Sequence, residues 1–183
     1  MRIAIDIDST LHHYWDQLAI VAKRRFGVDL PYDEQHTWTI ARLRPEQLRA
    51  CVAETHREVN VLKAEPYPGA VEVIKAWHDA GHFIHITSHR STDAHDATVR
   101  WLEQIGLAHD ELYCSWDKVT RCQEIEIDVL IDDSPVNLMR AGEVGITPAT
   151  ILHPWNRELC EEEDIVCAPD WPTLAQRLEP LLG

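Results

Sequence analysis

Ile3-Ala4-Ile5-Asp6-Ile7-Asp8-Ser9-Thr10 opens the chain with an apolar run that closes on two aspartates one residue apart and a polar turn. In a strand, residues i and i+2 point the same way, so this spacing places the Asp6 and Asp8 carboxylates on one side and Ile5 and Ile7 on the other. Two like charges held close repel each other. A divalent cation shared between them converts that repulsion into coordination by hard oxygen ligands. The competing reading of the pair taken alone is a strand end that merely turns polar.

Working outward, a second apolar run, Val129-Leu130-Ile131, ends in Asp132-Asp133-Ser134-Pro135. Between the two carboxylate pairs, Phe83-Ile84-His85-Ile86 runs into Thr87-Ser88-His89-Arg90, and Lys118 follows the apolar patch Leu112-Tyr113-Cys114. The order is carboxylate pair, hydroxyls, lysine, carboxylate pair. Each falls near the carboxyl end of a predicted strand, which is where open α/β sheets bind ligands.

The segments between them read mostly as helices. His12 through Phe26 carries Trp15, Leu18, Ala19, Ala22 and Phe26 at helical spacing, with Gly27 as a stop. From Val28 to about Glu65 the pattern is amphipathic without a strand signal and reads as an all-helical insert, including a helix opened by Pro45. Pro66-Tyr67-Pro68-Gly69 punctuates the chain before a helix over 70–80 closed by Gly81. Helices are expected over 93–105, 118–124, 136–142 and 173–182, with further strands over 112–114 and 149–153. Strands alternating with helices predict an α/β fold, a doubly wound parallel sheet with right-handed crossovers. Residues 1–11 and 66–183 form the expected core. Residues 12–65 form a small helical cap inserted after the first strand, in the position of a lid.

A chain of 183 residues suits one domain with such an insert. Its net charge of -14 repels nucleic-acid polymers, and the short basic run Lys23-Arg24-Arg25 reads as a solvated helix end. A small phosphorylated substrate stays compatible with that charge, because a metal ion, one lysine and helix N-termini build a local anion site. Five cysteines, an odd number without a C-x-x-C pair, read as reduced thiols of a cytoplasmic protein rather than a disulfide framework or a zinc knuckle. Eleven histidines include His12-His13 beside the first motif, read as surface or pocket-wall residues in preference to metal ligands. The N-terminus lacks a signal-peptide pattern and no apolar run approaches ~18 residues, so a soluble protein without membrane partners is expected.

Asp6-Ile7-Asp8-Ser9-Thr10, Thr87-Ser88, Lys118 and Asp132-Asp133 together resemble the four motifs of the haloacid dehalogenase (HAD) superfamily, in order and over most of the chain. The cap between the first two motifs, with Ile86-Thr87-Ser88, Trp116-Asp117-Lys118 and Leu130-Ile131-Asp132-Asp133-Ser134-Pro135, looks like the 5'(3')-deoxyribonucleotidase family and its bacterial relatives. The resemblance implies a Rossmann-like HAD core and a Mg2+-dependent phosphomonoesterase acting on nucleoside monophosphates. Asp6 is then the nucleophile that forms an aspartyl-phosphate. Asp8 is the acid and base, a task calling for a carboxyl of raised pKa. Thr87, Ser88 and Lys118 hold the phosphoryl oxygens, and Asp133, Asp132, Asp6 and the Asp8 main-chain carbonyl hold Mg2+. Tyr14 matches an aromatic substrate contact, and Trp38 in the cap is a second candidate for a base-stacking wall. Arg90 either binds phosphate or pairs with an acidic neighbour. The family commonly has glycine at the position of Ser9, whose backbone angles serine resists. A small cap leaves such a site open to a second subunit, as in a homodimer, or to larger substrates.

Blander roles exist for single residues: Thr87, Ser88 or Asp132 as helix caps, Lys118 as a surface lysine, Tyr14 and Trp38 as core aromatics. Rival activities are a phosphatase of another small ester such as a sugar phosphate, a C-halogen hydrolase, a phosphoacceptor signalling domain and a silent phospho-ligand binding module. Halide displacement needs neither a metal nor Asp8. A signalling domain would not place its Asp-Asp pair after the lysine.

Overall fold

Ile3, Ala4 and Ile5 have no solvent exposure, as expected of a strand covered on both faces. In the computed structural model, which describes residues 1–115 and 117–183, they lie in β1 (Arg2–Asp6). After β1 come α1 (Tyr14–Phe26), α2 (Pro45–Thr55), α3 (Glu58–Val61), α4 (Ala70–Asp79), β2 (Phe83–Ser88), α5 (His95–Gln104) and β3 (Glu111–Cys114). Then follow α6 (Lys118–Glu124), β4 (Val129–Ile131), α7 (Pro135–Glu143), β5 (Thr147–Ile151), α8 (Arg157–Glu162), β6 (Val166–Ala168) and α9 (Trp171–Leu182). Trp116 of the Trp116-Asp117-Lys118 string lies outside the described residues.

The strands form one parallel sheet in the order β3-β2-β1-β4-β5-β6. The chain winds outward from β1 to β3, then returns to β4 on the other side of β1. That reversal opens a crevice beyond the carboxyl ends of β1 and β4, the usual ligand site of such sheets. On one face, Ile3, Ile5, Ile84, Ile86 and Ile131 pack with Trp77 of α4, Trp101 of α5 and Trp171 of α9. On the other, Ala4 and Leu130 meet Val119 and Cys122 of α6 and Ala141 of α7. The Trp101 and Trp171 indoles bury their rings and donate to the carbonyls of Ala64 (2.8 Å) and Thr10 (2.9 Å), so neither N–H is left unpaired.

A separate cluster joins Trp15, Leu18, Val21 and Ala22 of α1 to Leu30, Leu43 and Cys51, with Trp155 reaching in from the sheet side. The two connections to this unit lie side by side: His12 bridges Pro66, and the Tyr67 N–H donates to the Leu11 carbonyl at 2.7 Å. Lys23 pairs with Asp29 at 2.7 Å, and both Arg24 and Arg25 pair with Glu54, which makes the basic run an ion-paired helix end.

Several expectations change. β1 stops at Asp6, because Ser9 takes a left-handed backbone (φ 64°) and the N–H groups of Thr10 and Leu11 turn back onto the Ile7 carbonyl. The alternation argument therefore does not carry through to Asp8. Residues 35–44 are turns rather than helix; the Gln35 amide donates to the carbonyls of Thr37 (2.6 Å) and Thr39 (3.1 Å), holding an irregular loop. The fifth strand ends at Ile151 rather than His153, and α8 and β6, short elements of weak periodicity, were not anticipated. The cysteines are not all free: Cys160 of α8 and Cys167 of β6 form a disulfide with Cα atoms 6.2 Å apart. Their seven-residue separation resembles no short motif, and the turn from α8 into β6, which pairs with β5 at the sheet edge, brings them together. No helix among the described residues is long and apolar enough to cross a membrane.

Candidate active site

Asp6 ends β1 and faces its register partner Thr87 at the end of β2, while Asp132 and Asp133 follow β4. Parallel pairing thus delivers residues far apart in sequence to one crevice. Asp6, Asp132 and Asp133 are all buried, and each offers a carboxylate oxygen within 4.8 Å of the others. Lys118, the first residue of α6, is also buried and donates from Nζ to Asp6 Oδ1 and, at 3.0 Å, to Asp132 Oδ2. Burial pushes the Asp6 carboxyl up, the Lys118 charge opposes this, and the Asp132 and Asp8 charges add to it. Burial, then Asp6 and Asp132, push Asp133 well above the usual carboxylate range. Asp132 also receives the Ser134 N–H (2.8 Å) and the Asn137 amide (3.0 Å), so it anchors the start of α7 as well as facing the cluster.

Asp8 stands apart. Its carboxylate accepts from Arg90 through Nη2 (2.7 Å) and Nε (3.1 Å), lies 3.0 Å from His12 Nε2, and has His56 Nε2 at 3.4 Å. Burial disfavours its charge, but the Arg90 guanidinium and the bonds from His12 and His56 prevail and hold it well below the usual range. The expectation of a raised pKa is not met, because Arg90, His12 and His56 together outweigh the burial of Asp8. Arg90 is buried and also donates to Thr98 Oγ1 at 3.2 Å. Its acidic neighbour is Asp8.

Thr87 is fully buried, and its hydroxyl has no hydrogen-bond partner among the described residues. Ser88, equally buried, accepts the Arg90 backbone N–H at 3.1 Å. Above the crevice lies a cavity of about 1170 Å³ lined by Asp6, Asp8, Lys118, Asp132 and Asp133 below and by Tyr14, Trp38, Leu48 and Val52 above. The Tyr14 hydroxyl lies 2.7 Å from Thr55 Oγ1, and Trp38 is exposed, its ring 6.4 Å from that of Trp155.

His153, Trp155 and Asn156 were missed by sequence reasoning, although His153 closes the strand predicted over 149–153 and Pro154-Trp155-Asn156 follows it, where a site residue is expected. Trp155 Nε1 and Asn156 Nδ2 donate to the Asp133 carbonyl (3.2 and 3.4 Å). His153 Nε2 lies 2.7 Å from the Ser9 carbonyl, an acceptor only, so that nitrogen carries the proton and Nδ1 accepts from the Tyr32 hydroxyl at 2.7 Å. This imidazole braces the left-handed turn that serine resists. Burial pulls its pKa from 6.5 down to about 4. The unfolded chain therefore takes up the proton first, so the stabilisation is complete above pH 6.5 and is lost as pH falls towards 4. In urea melts the wild type is expected to lose up to about 3 kcal/mol more than His153→Gln over that interval. Parallel pH profiles would remove the brace.

Residues 1–174 match the family model described as 5' nucleotidase, deoxy (pyrimidine), cytosolic type C protein. No curated protein sequence matches significantly. Among solved structures, the chain resembles a HAD family hydrolase from Deinococcus radiodurans R1 with bound phosphate and sodium, at 18% identity and TM-score 0.71, covering 99% of this chain and 96% of that one. It also resembles a family IA, variant 3 HAD hydrolase from Entamoeba histolytica HM-1:IMSS at 13% identity and TM-score 0.68, covering 97% and 99%. A third similar structure is the D,D-heptose 1,7-bisphosphate phosphatase from B. bronchiseptica, complexed with magnesium and phosphate, at 14% identity and TM-score 0.55, covering 98% of each chain. At these identities the structures support the fold, and the family match extends over nearly the whole chain. The protein belongs to the deoxy (pyrimidine) 5' nucleotidase, cytosolic type C family and is a HAD-type phosphatase.

Proposed function

We propose that the chain hydrolyses (deoxy)nucleoside 5'-monophosphates, with Mg2+, through an aspartyl-phosphate on Asp6. The observation that carries this reading is the meeting of Asp6, Asp132, Asp133 and Lys118 at the floor of a cavity large enough for a nucleotide. Three buried carboxylates with a single bonded lysine, two of them pushed up by burial and then by mutual repulsion, form an oxygen-donor set that suits a hard dication. Asp6, Asp132 and Asp133 would hold Mg2+, which when bound supplies charge neutralisation to the phosphoryl oxygens.

The chain's own residues do the rest. Asp6 attacks phosphorus in line and the alcohol leaves. Lys118 stabilises charge on the transferring group, and Thr87, whose buried hydroxyl lacks a partner, and Ser88, both just beneath the cavity lining, are assigned to the phosphoryl oxygens. Asp8 must take up a proton before the first step, against the pull of Arg90 and His12 on its ionised form; it gives that proton to the departing alcohol and takes one back from the attacking water. We read residues 12–65 as the cap over a core of 1–11 and 66–183, with Tyr14 and Trp38 as the wall that meets the base. The family description favours a pyrimidine deoxynucleotide.

Phosphate release from 5'- and 3'-nucleotides, sugar phosphates and p-nitrophenyl phosphate tests the reading, with Mg2+ and with EDTA. Release from 5'-nucleotides that exceeds release from sugar phosphates and disappears with EDTA is expected. Equal turnover of sugar phosphates would discard the substrate, and EDTA-resistant turnover would discard the metal.

A further inference from the structure

We propose that His56, carried by the cap, is a positioning residue for Asp8 that serves the hydrolysis of the phosphorylated enzyme, so that the cap takes part in the second half of the reaction. The inference rests on the aspartyl-phosphate reading above and adds a residue to it.

Both oxygens of the Asp8 carboxylate are engaged. Oδ1 meets Arg90 Nη2 and His12 Nε2, and Oδ2 meets Arg90 Nε and His56 Nε2. Two of these partners are fixed by the core. Arg90 follows β2 and is tied to Thr98, and His12 sits at the hinge where the chain leaves the sheet, bridged to Pro66. The third is not a core residue. His56 is the residue that ends α2, and it reaches Asp8 only while that helix is seated over the crevice. Its neighbours hold it there: Thr55 donates to the Val52 carbonyl at 2.9 Å and meets the Tyr14 hydroxyl, and Arg100 of α5 pairs with Glu58 just beyond. A shift of α2 away from the sheet therefore removes a contact from Asp8 before it disturbs Arg90 or His12.

Donors at both oxygens fix the orientation of the Asp8 carboxylate and keep it ionised, the form in which it can take a proton. The step that needs an acceptor is the second one. Water oxygen bonds to phosphorus, the bond from phosphorus to the Asp6 oxygen breaks with its electrons returning to Asp6, and Asp8 takes the proton of the water. Holding Asp8 in one orientation shortens the search for that geometry.

The test uses p-nitrophenyl phosphate with Mg2+, because p-nitrophenolate leaves without needing a proton and breakdown of the intermediate then limits turnover. In His56→Ala, kcat is expected to fall about tenfold while KM falls in parallel, leaving kcat/KM within about threefold of wild type. Phosphorylated Asp6, trapped by acid quench, accumulates during turnover. His56→Gln, whose amide N–H can reach the same oxygen, recovers most of kcat. Should His56→Ala fail to fold, His56→Asn, with its shorter reach, takes its place. A joint fall of kcat and kcat/KM, an unchanged kcat, or a glutamine variant no better than alanine would each overturn the proposal. A wild type that hydrolyses the ester without any trapped phosphoenzyme would instead overturn the aspartyl-phosphate reading, and this inference with it.

Discussion

Asp6→Asn is expected to lower phosphate release by at least about 10⁴-fold with little loss of stability. The two readouts diverge for a physical reason. An amide in place of the carboxylate cannot act as the nucleophile on phosphorus, so the reaction loses its first step. For folding, the same change removes one member of a crowded acidic group. The Asp6 carboxyl is pushed up by burial and by the charges of Asp132 and Asp8, while Lys118 offsets part of this. Without that carboxylate Lys118 keeps its 3.0 Å bond to Asp132. A thermal melt close to wild type, alongside activity at the level of the uncatalysed blank, is the expected pair of results. Retention of activity would move the nucleophile elsewhere, and a collapsed melt would make Asp6 a structural residue.

Lys118→Met reverses the balance and is expected to cost roughly 3–5 kcal/mol, because it leaves the cluster's carboxylates buried without their bonded cation. For a domain whose total stability is on the order of 5–15 kcal/mol, that is a large share. Lys118 is 2% exposed, and the two aspartates it joins are no more than 5% exposed at their side chains, so water cannot take over its role. The pH dependence has a definite sign. Asp6 and Asp133 already have pKa values above the ordinary carboxylate value, and losing Lys118 raises them further, so the folded variant binds more protons than the unfolded chain. Its deficit in urea midpoint should therefore shrink as pH falls from about 8 towards 5. Added Mg2+ should recover part of the deficit at the higher pH, since the proposed ion and the lysine answer the same charge. A cost under about 1 kcal/mol would mean that the cluster is neutralised by other means.

The main architecture was open to reading along the chain because its signals are local. Ile3-Ala4-Ile5 and Val129-Leu130-Ile131 are continuous apolar runs, which is how doubly covered strands look, and each ends in aspartates. Helical spacing from Trp15 to Phe26 and the stop at Gly27 are equally local, and α1 ends there. The departures belong to features that take their stability from partners distant in sequence. α8 and β6 are short, and β6 exists by pairing with β5 at the sheet edge. The Cys160 and Cys167 pair depends on that same packing.

Within the site the division is similar. Residue types and their order marked Asp6, Asp8, Thr87, Ser88, Lys118, Asp132 and Asp133, since strand ends collect ligands in any open α/β sheet. The sequence alone thus determined the fold class and supplied the residues proposed for the chemistry. Tertiary structure decided which charges meet. Lys118 goes to Asp6 and Asp132, while Arg90, His12 and His56 at the end of α2 go to Asp8. The carboxylate expected to be raised is lowered, and its neighbour two residues earlier is raised in its place. That assignment could not be read along the chain, because Coulomb interaction and burial depend on distances in space, and Lys118 and Arg90, both far along the chain, give Asp6 and Asp8 different electrostatic environments.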